Sequence, residues 1–344
     1  MARVEIDIFS GRPNPVFELD EREAKQILRE LSANPNAVTP RDHVVSRLGY
    51  RGLVLELDPQ EAERLHLPRS LRIGGGVAKD DSKGLEIVER LIERADRLVP
   101  AVPGDFGELG VYDPEAIKAW VRQEIADGEI LRAPDVLKNV DRSGPQGRTT
   151  ETMDPSPSGS GPGEVSAQSG APVLGDDATF GWTTYTLGSC NYEASAFNPG
   201  YWNNGGFQGY NNCYNYATNR RTDTFAQPGR ASLGSVPYNQ TNISCTNVGN
   251  AAKSDGCVAS STCVNVSLAP RHYVALVVIP SGSTRDYHWY RFHNDGFWGH
   301  KQGSTPAKNL DYNGNVIYNP QTAARGPYTQ FCGYYYVGTN TQIS

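Results

Sequence analysis

At 344 residues the chain exceeds the roughly 100–200 residues usual for one domain, so two are expected. Residues 1–175 carry 22 Lys+Arg against 30 Asp+Glu and residues 176–344 carry 10 against 8, so halves of net charge −8 and +2 make up the total of −6. Neither half clusters the cations that neutralise a phosphate backbone, which excludes nucleic acid as a partner. No stretch approaches the about 20 apolar residues of a membrane span. Residues 1–9 (M-A-R-V-E-I-D-I-F) place charges inside their apolar run, unlike a cleaved leader, so a soluble chain is expected, cytoplasmic or exported without one.

Val4–Phe9 alternates apolar and polar residues with the period of a strand and then meets S-G-R-P-N-P, a turn cluster that stops it. Asp20 can cap the helix that follows, with Glu23 three residues on, and Ala24, Ile27, Leu28 and Leu31 fall on one face. Leu53–Leu57 reads as a second strand, Ser70–Ala78 as a turn or irregular strand, and Leu85–Leu98 as a second amphipathic helix. Glu115–Asp127 adds a third helix, capped by Asp113 with Pro114 in its first turn. Gly74, Gly75 and Gly76 complete neither a Walker loop nor a dinucleotide fingerprint. Residues 1–140 are therefore expected to form a small α+β domain with an accessory or docking role, which implies a docking partner for it. Residues 141–175 are Ser/Gly/Pro-rich with little to bury, the composition of a flexible linker that lets the halves move independently. Residues 176–344 are rich in Asn, Gly, Tyr and Ser/Thr, with Glu193 the single Glu, a bias towards β-structure and loops.

All six cysteines, Cys190, Cys213, Cys245, Cys257, Cys263 and Cys332, lie in this second half. No C-x-x-C pair is present and the Cys257–Cys263 interval fits no zinc knuckle, so neither a metal nor another cofactor is expected. The sharpest local signal is Y-N-N-C-Y-N-Y-A-T-N (210–219), in which Cys213 should open a helix. A helix amino terminus favours thiolate over thiol and supplies an N–H where an oxyanion would develop. Gln208, Asn211 and Asn212 are upstream amides able to give a second donor. Four of the six histidines, His272, His288, His293 and His300, fall within one stretch that reads as a β-meander: 272–280, 286–292 and 297–301. If the turn at Asn294–Gly296 is tight, Tyr290 pairs near His300 and His288 becomes its same-face neighbour.

A cysteine at a helix start followed by an aromatic, then a histidine on an antiparallel strand and a polar residue beyond it, resembles the papain-like superfamily, including CHAP and NlpC-type amidohydrolases. C-Y-N-Y-A (213–217) resembles the Cys-aromatic-Ala helix start of those enzymes. D-Y-H-W-Y-R…G-F-W-G-H-K-Q-G (286–303) and D-Y-N-G-N-V-I-Y-N-P (311–320) also resemble a little-described set of bacterial and viral proteins, and the likeness covers roughly 207–337. The resemblance implies a papain-like α+β domain over 176–344, with an antiparallel sheet and a helix opened by the nucleophile. The sequence departs from the familiar pattern by offering two bases. H-Y-V-A-L-V (272–277) is similar to the strand start that carries the base in NlpC-type peptidases, with Asp286 or His293 to orient His272. The favoured base is His288, oriented by Asp311 or Asn319, with His300 also in reach.

On this reading a histidine takes the proton of Cys213 and the thiolate attacks an amide or peptide carbonyl. The oxyanion rests on backbone N–H and on Gln208 or Asn212, and water resolves the thioester. The substrate would be a peptide or peptidoglycan, lined by Trp202, Tyr210, Trp289 and Trp298. The rival from another class is a secreted binding or toxin-like module without catalysis, in which six cysteines make three disulfides and the histidines are structural. An amine in place of water would make the enzyme a transferase.

Overall fold

The computed structural model describes residues 2–126 and 182–344, apart from positions 42, 44, 46, 77, 79, 80, 205 and 283, and the strands at 157–161 and 173–174. It is a mixed α+β molecule. In the first half, six strands are β1 (Ala2–Ile6), β2 (Pro15–Leu19), β3 (Thr39–Pro40), β4 (Leu53–Glu56), β5 (Ser70–Ile73) and β6 (Val99–Pro100). They form one antiparallel sheet in the order β3-β5-β4-β1-β2-β6. Four helices accompany it: α1 (Glu21–Ala33), α2 (Pro59–Leu65), α3 (Asp81–Ile92) and α4 (Pro114–Ala126). Asp20 caps α1 by accepting from Glu23 N at 2.8 Å, and Ala24, Ile27, Leu28 and Leu31 are the buried face that the spacing predicts. The structure ends α3 at Ile92, because the N–H groups of Arg94 and Ala95 turn back onto Leu91 and Ile92.

Two short strands follow, β7 (Pro157–Gly161) and β8 (Val173–Leu174), and otherwise the expected linker at 141–175 lies outside the described residues. The second half contains β9 (Trp182–Leu187), β10 (Cys190–Ala194), β11 (Arg220–Arg221), β12 (Val258–Ala259), β13 (His272–Val278), β14 (Tyr287–Phe292), β15 (Trp298–Lys301), β16 (Ala307–Lys308) and β17 (Gln330–Val337). Its helices are α5 (Cys213–Ala217), α6 (Arg230–Leu233) and α7 (Cys245–Ser254). The central sheet runs β12-β17-β13-β14-β15-β16, antiparallel throughout, and pairs Tyr290 with His300 as a tight turn requires. Strand alternation divides its side chains between two cores. Val274, Leu276, Val278, Tyr287, Trp289 and Tyr335 pack with Cys213, Tyr214 and Val248 of α5 and α7, whereas Ala275, Val277, Tyr290 and Phe292 pack with Tyr185 and Tyr192 of the β9–β10 hairpin. Disulfides join Cys190 to Cys263 and Cys245 to Cys332, fastening β10 to the approach to β13 and the start of α7 to β17.

The halves do not sit apart. Val102, Phe106 and Leu109 of the first half belong to the Cys213 core of the second, and Leu48 joins the opposite core. Independent motion, expected from the composition of the connecting residues, is therefore not what the described residues show. Separating the halves would expose apolar side chains, each stabilising by about 1.5–3 kcal/mol when fully buried.

Candidate functional site

Cys213 does open α5, as its sequence setting predicts. Asn212 is the N-cap: its side-chain oxygen accepts from Tyr214 N and Asn215 N, while Asn215 reaches back to Asn212 N in a capping box. The helix lies flat on β14, and the Cys213 thiol is fully buried with Tyr287 O 3.9 Å away. Burial pushes the thiol well above its ordinary value, and the Asp286 carboxylate adds to the push. This corrects the expectation of an activated thiolate, because in this core desolvation outweighs any helix-terminus effect. Cys257, the other free cysteine, is likewise buried and raised to about 12. Neither the single reactive thiol nor the three-disulfide framework is realised: four cysteines are bridged and two are sealed.

His288 follows Tyr287 on the strand, and its ring therefore emerges on the other face of the sheet. There it meets Tyr290, His300 and Tyr328, with the sheet between it and Cys213. His300 Nε2 donates to Leu310 O at 2.8 Å, which leaves its Nδ1 as the acceptor of His288 Nε2–H, also at 2.8 Å. His288 Nδ1 is then a buried lone pair without a partner among the described residues. His272 packs at a tilt against Trp182, and His293 donates from Nδ1 to Ser195 O and accepts from Tyr216 OH. All four imidazoles are buried, and desolvation holds each well below its ordinary value.

The other expected members are spent on local structure. Asp311 accepts from Asn313 N, Asn315 N and Ala324 N, closing a loop. Asn319 holds Gln321 N and Tyr334 OH. Gln208 donates to Ser304 O, and Asn211 ties Phe207 to the 222–223 turn. Besides capping α5, Asn212 donates to Gly11 O and Ala226 O, so its amide is fully engaged. Trp202, Trp289 and Trp298 are core residues, and of the expected groove only Tyr210 is exposed. It stands at a cleft of about 660 Å³ between the halves, beside Arg3, Arg41 and Arg69. There Arg41 is already paired with Glu5 and Glu56.

The constellation that the structure does assemble lies at the junction of the halves. Asp286, fully buried just before β14, accepts from the backbone of a turn in the first half: Ser10 N at 2.6 Å, Gly11 N at 3.2 Å and Arg12 N at 3.0 Å. Tyr328 OH donates to the same carboxylate at 2.5 Å. Gly11 O, on the far side of the turn, accepts from Asn212 Nδ2 and Gln227 Nε2, both at 2.9 Å. Successive N–H groups converging on one anion make a nest, and here it is closed on both sides of the peptide. Asn14 presets the turn by accepting from Ile8 N and Phe9 N. Gly11 lies against Tyr287 so closely that a Cβ would fall 2.5 Å from the ring. The Arg12 guanidinium covers the Phe9 ring at 4.3 Å and donates to Arg285 O and Leu109 O. Behind the turn, Asp7 binds Arg51 and Arg72 at 2.6 Å each. Those guanidinium groups overcome its burial and hold its carboxyl far below the usual range. Read as a sequence, S-G-R-P-N-P is only a strand stop. Nothing local marks its partner, 275 residues away.

A similar protein is insoluble matrix shell protein 1 of Ruditapes philippinarum, 41% identical over 157 residues that cover 95% of that protein and 44% of this chain. No family model and no solved structure matches the chain. The relative overturns the expected cysteine hydrolase, whether peptidase or amidase: it is a shell matrix protein, and the two disulfides fit a non-catalytic module. More than half of this chain lies outside the match.

Proposed function

This chain belongs to the family of insoluble matrix shell protein 1, and from that premise we propose that it is a non-catalytic, disulfide-stabilised component of an extracellular insoluble matrix. The observation that carries the reading is the 41% identity over nearly the whole of that relative. Two disulfides, closing sequence separations of 73 and 87 residues, support it, because such bridges persist in oxidising compartments. So do the sealed thiols and buried histidines, which are spent on packing and hydrogen bonds.

Sequential extraction of the matrix in the organism that makes the protein tests the proposal. Water, a chelator and then detergent should each leave the chain in the residue, and reductant with denaturant should release it. Quantitative recovery of the chain in the water extract would sink the reading.

A further inference from the structure

The Asp286 slot recognises a backbone turn by shape and hydrogen bonding. Three N–H groups and one carbonyl of residues 10–12 fill it, flanked by Tyr287, Tyr328, Asn212 and Gln227. Around it the contact is broad: Gly303 N donates to Ser10 O at 3.0 Å, Arg47 to Tyr312 OH at 2.9 Å, Ser304 to Glu5 at 3.0 Å, and Phe106 packs edge-on against Phe225. None of this is covalent. Both disulfides lie wholly within the second half, so apart from peptide connectivity no covalent bond between described residues ties the halves.

We infer that the Ser10–Arg12 turn of one molecule docks in the Asp286 slot of a second copy of this chain, each copy lending its first half to the next and so linking copies head to tail. Every contact of the slot is the same whichever copy supplies the turn. Reach does not forbid it. Thirty residues join Ala126 to Pro157, enough to span at most about 100 Å, whereas a compact chain of this length has a radius of gyration of about 20 Å. The turn and the slot are different surfaces, so a copy that lends its first half keeps a slot for a third molecule. A contact of that type propagates unless it closes on itself. Concentration decides the outcome: tethering supplies an effective concentration in the millimolar range, so docking within one chain wins in dilute solution and exchange wins when copies are packed. The partner is named by the geometry of the slot and does not depend on the matrix reading.

Two variants of the full chain test it by complementation. Asp286→Ala destroys the slot and keeps the turn. Gly11→Val destroys the turn, by the clash with Tyr287, and keeps the slot. Each alone should be monomeric in gel filtration with light scattering. Mixed one to one, they should give a species of twice the monomer mass, at least about tenfold more abundant than in either alone. A monomeric mixture of variants that retain native circular dichroism and both disulfides overturns the inference. Should either variant fail to fold, wild-type protein decides. Two batches labelled at the amino terminus with donor and acceptor dyes are brought together near millimolar concentration in mild urea, returned to buffer and diluted. Energy transfer in oligomers that outlast the dilution supports exchange, and its absence overturns it.

Discussion

A side chain's chemistry here is set by which face of β14 it emerges on. Cys213 has the neighbours of a core residue, and its thiol should behave as one. Iodoacetamide at pH 8 should leave native Cys213 and Cys257 unmodified over hours and alkylate both at once in denaturant, as peptide mapping would show; rapid labelling of native Cys213 would refute the sealed-thiol picture. The four buried histidines make a second prediction. Their folded-state values lie below the ordinary value of about 6.5, so as pH falls through that value the unfolded chain takes up protons that the folded one refuses. Stability should be flat above pH 7 and decline below about 6.5, each histidine adding a limiting slope of about 1.4 kcal/mol per pH unit. Asp286, raised by burial, acts in the opposite sense, whereas Asp7, held far below the usual carboxylate range by Arg51 and Arg72, adds to the decline in stronger acid. Urea titrations at half-unit steps between pH 7.5 and 4.5 would reveal it, and stability unchanged down to pH 5 would contradict it.

Short elements in this molecule are held by side chains rather than by length. Five-residue α5 is too short to persist by propensity, so its cap matters. Asn212→Ala should cost about 2–3 kcal/mol in chemical denaturation, combining the lost cap with the loss of donors to Gly11 O and Ala226 O. Asn212→Asp, which keeps the cap oxygen, should recover part of that; equal losses in both would assign the effect to the donors alone. The bridge from α7 to β17 closes 87 residues, and replacing Cys245 and Cys332 together by Ala should lower stability by roughly 2–4 kcal/mol in denaturant melts. Elements with local signals were legible: α1 with Asp20 and its four apolar positions, the meander with its Tyr290–His300 register, and the helix opened by Cys213. Helix α2 carries a readable Asp58 cap and Pro59 start, yet too few apolar residues for periodicity to reveal it. The error about the site arose where local signals end. A cysteine before a helix and a histidine on a strand are both local facts, but whether they face one another depends on which side of the sheet the helix covers. Alternation places Tyr287 and Trp289 against α5, and His288 necessarily points away.

Across the whole molecule, the junction of the halves is both an interface and a continuation of the core. If a protease site is inserted between residues 127 and 156 and cut, the two pieces should elute together from gel filtration, and Gly11→Val should separate them. Separation of the wild-type pieces would show that the junction needs its covalent link. The order of synthesis adds a consequence in time. Gly11 leaves the ribosome 275 residues ahead of Asp286. At about 5–20 residues per second, its turn waits roughly 15–55 s for the carboxylate that will hold it. During that wait Val102, Phe106 and Leu109 have no covering core, although their own half is complete. On a message bearing several ribosomes, the spacing between them sets how often a waiting first half meets a finished neighbour before its own second half has been made.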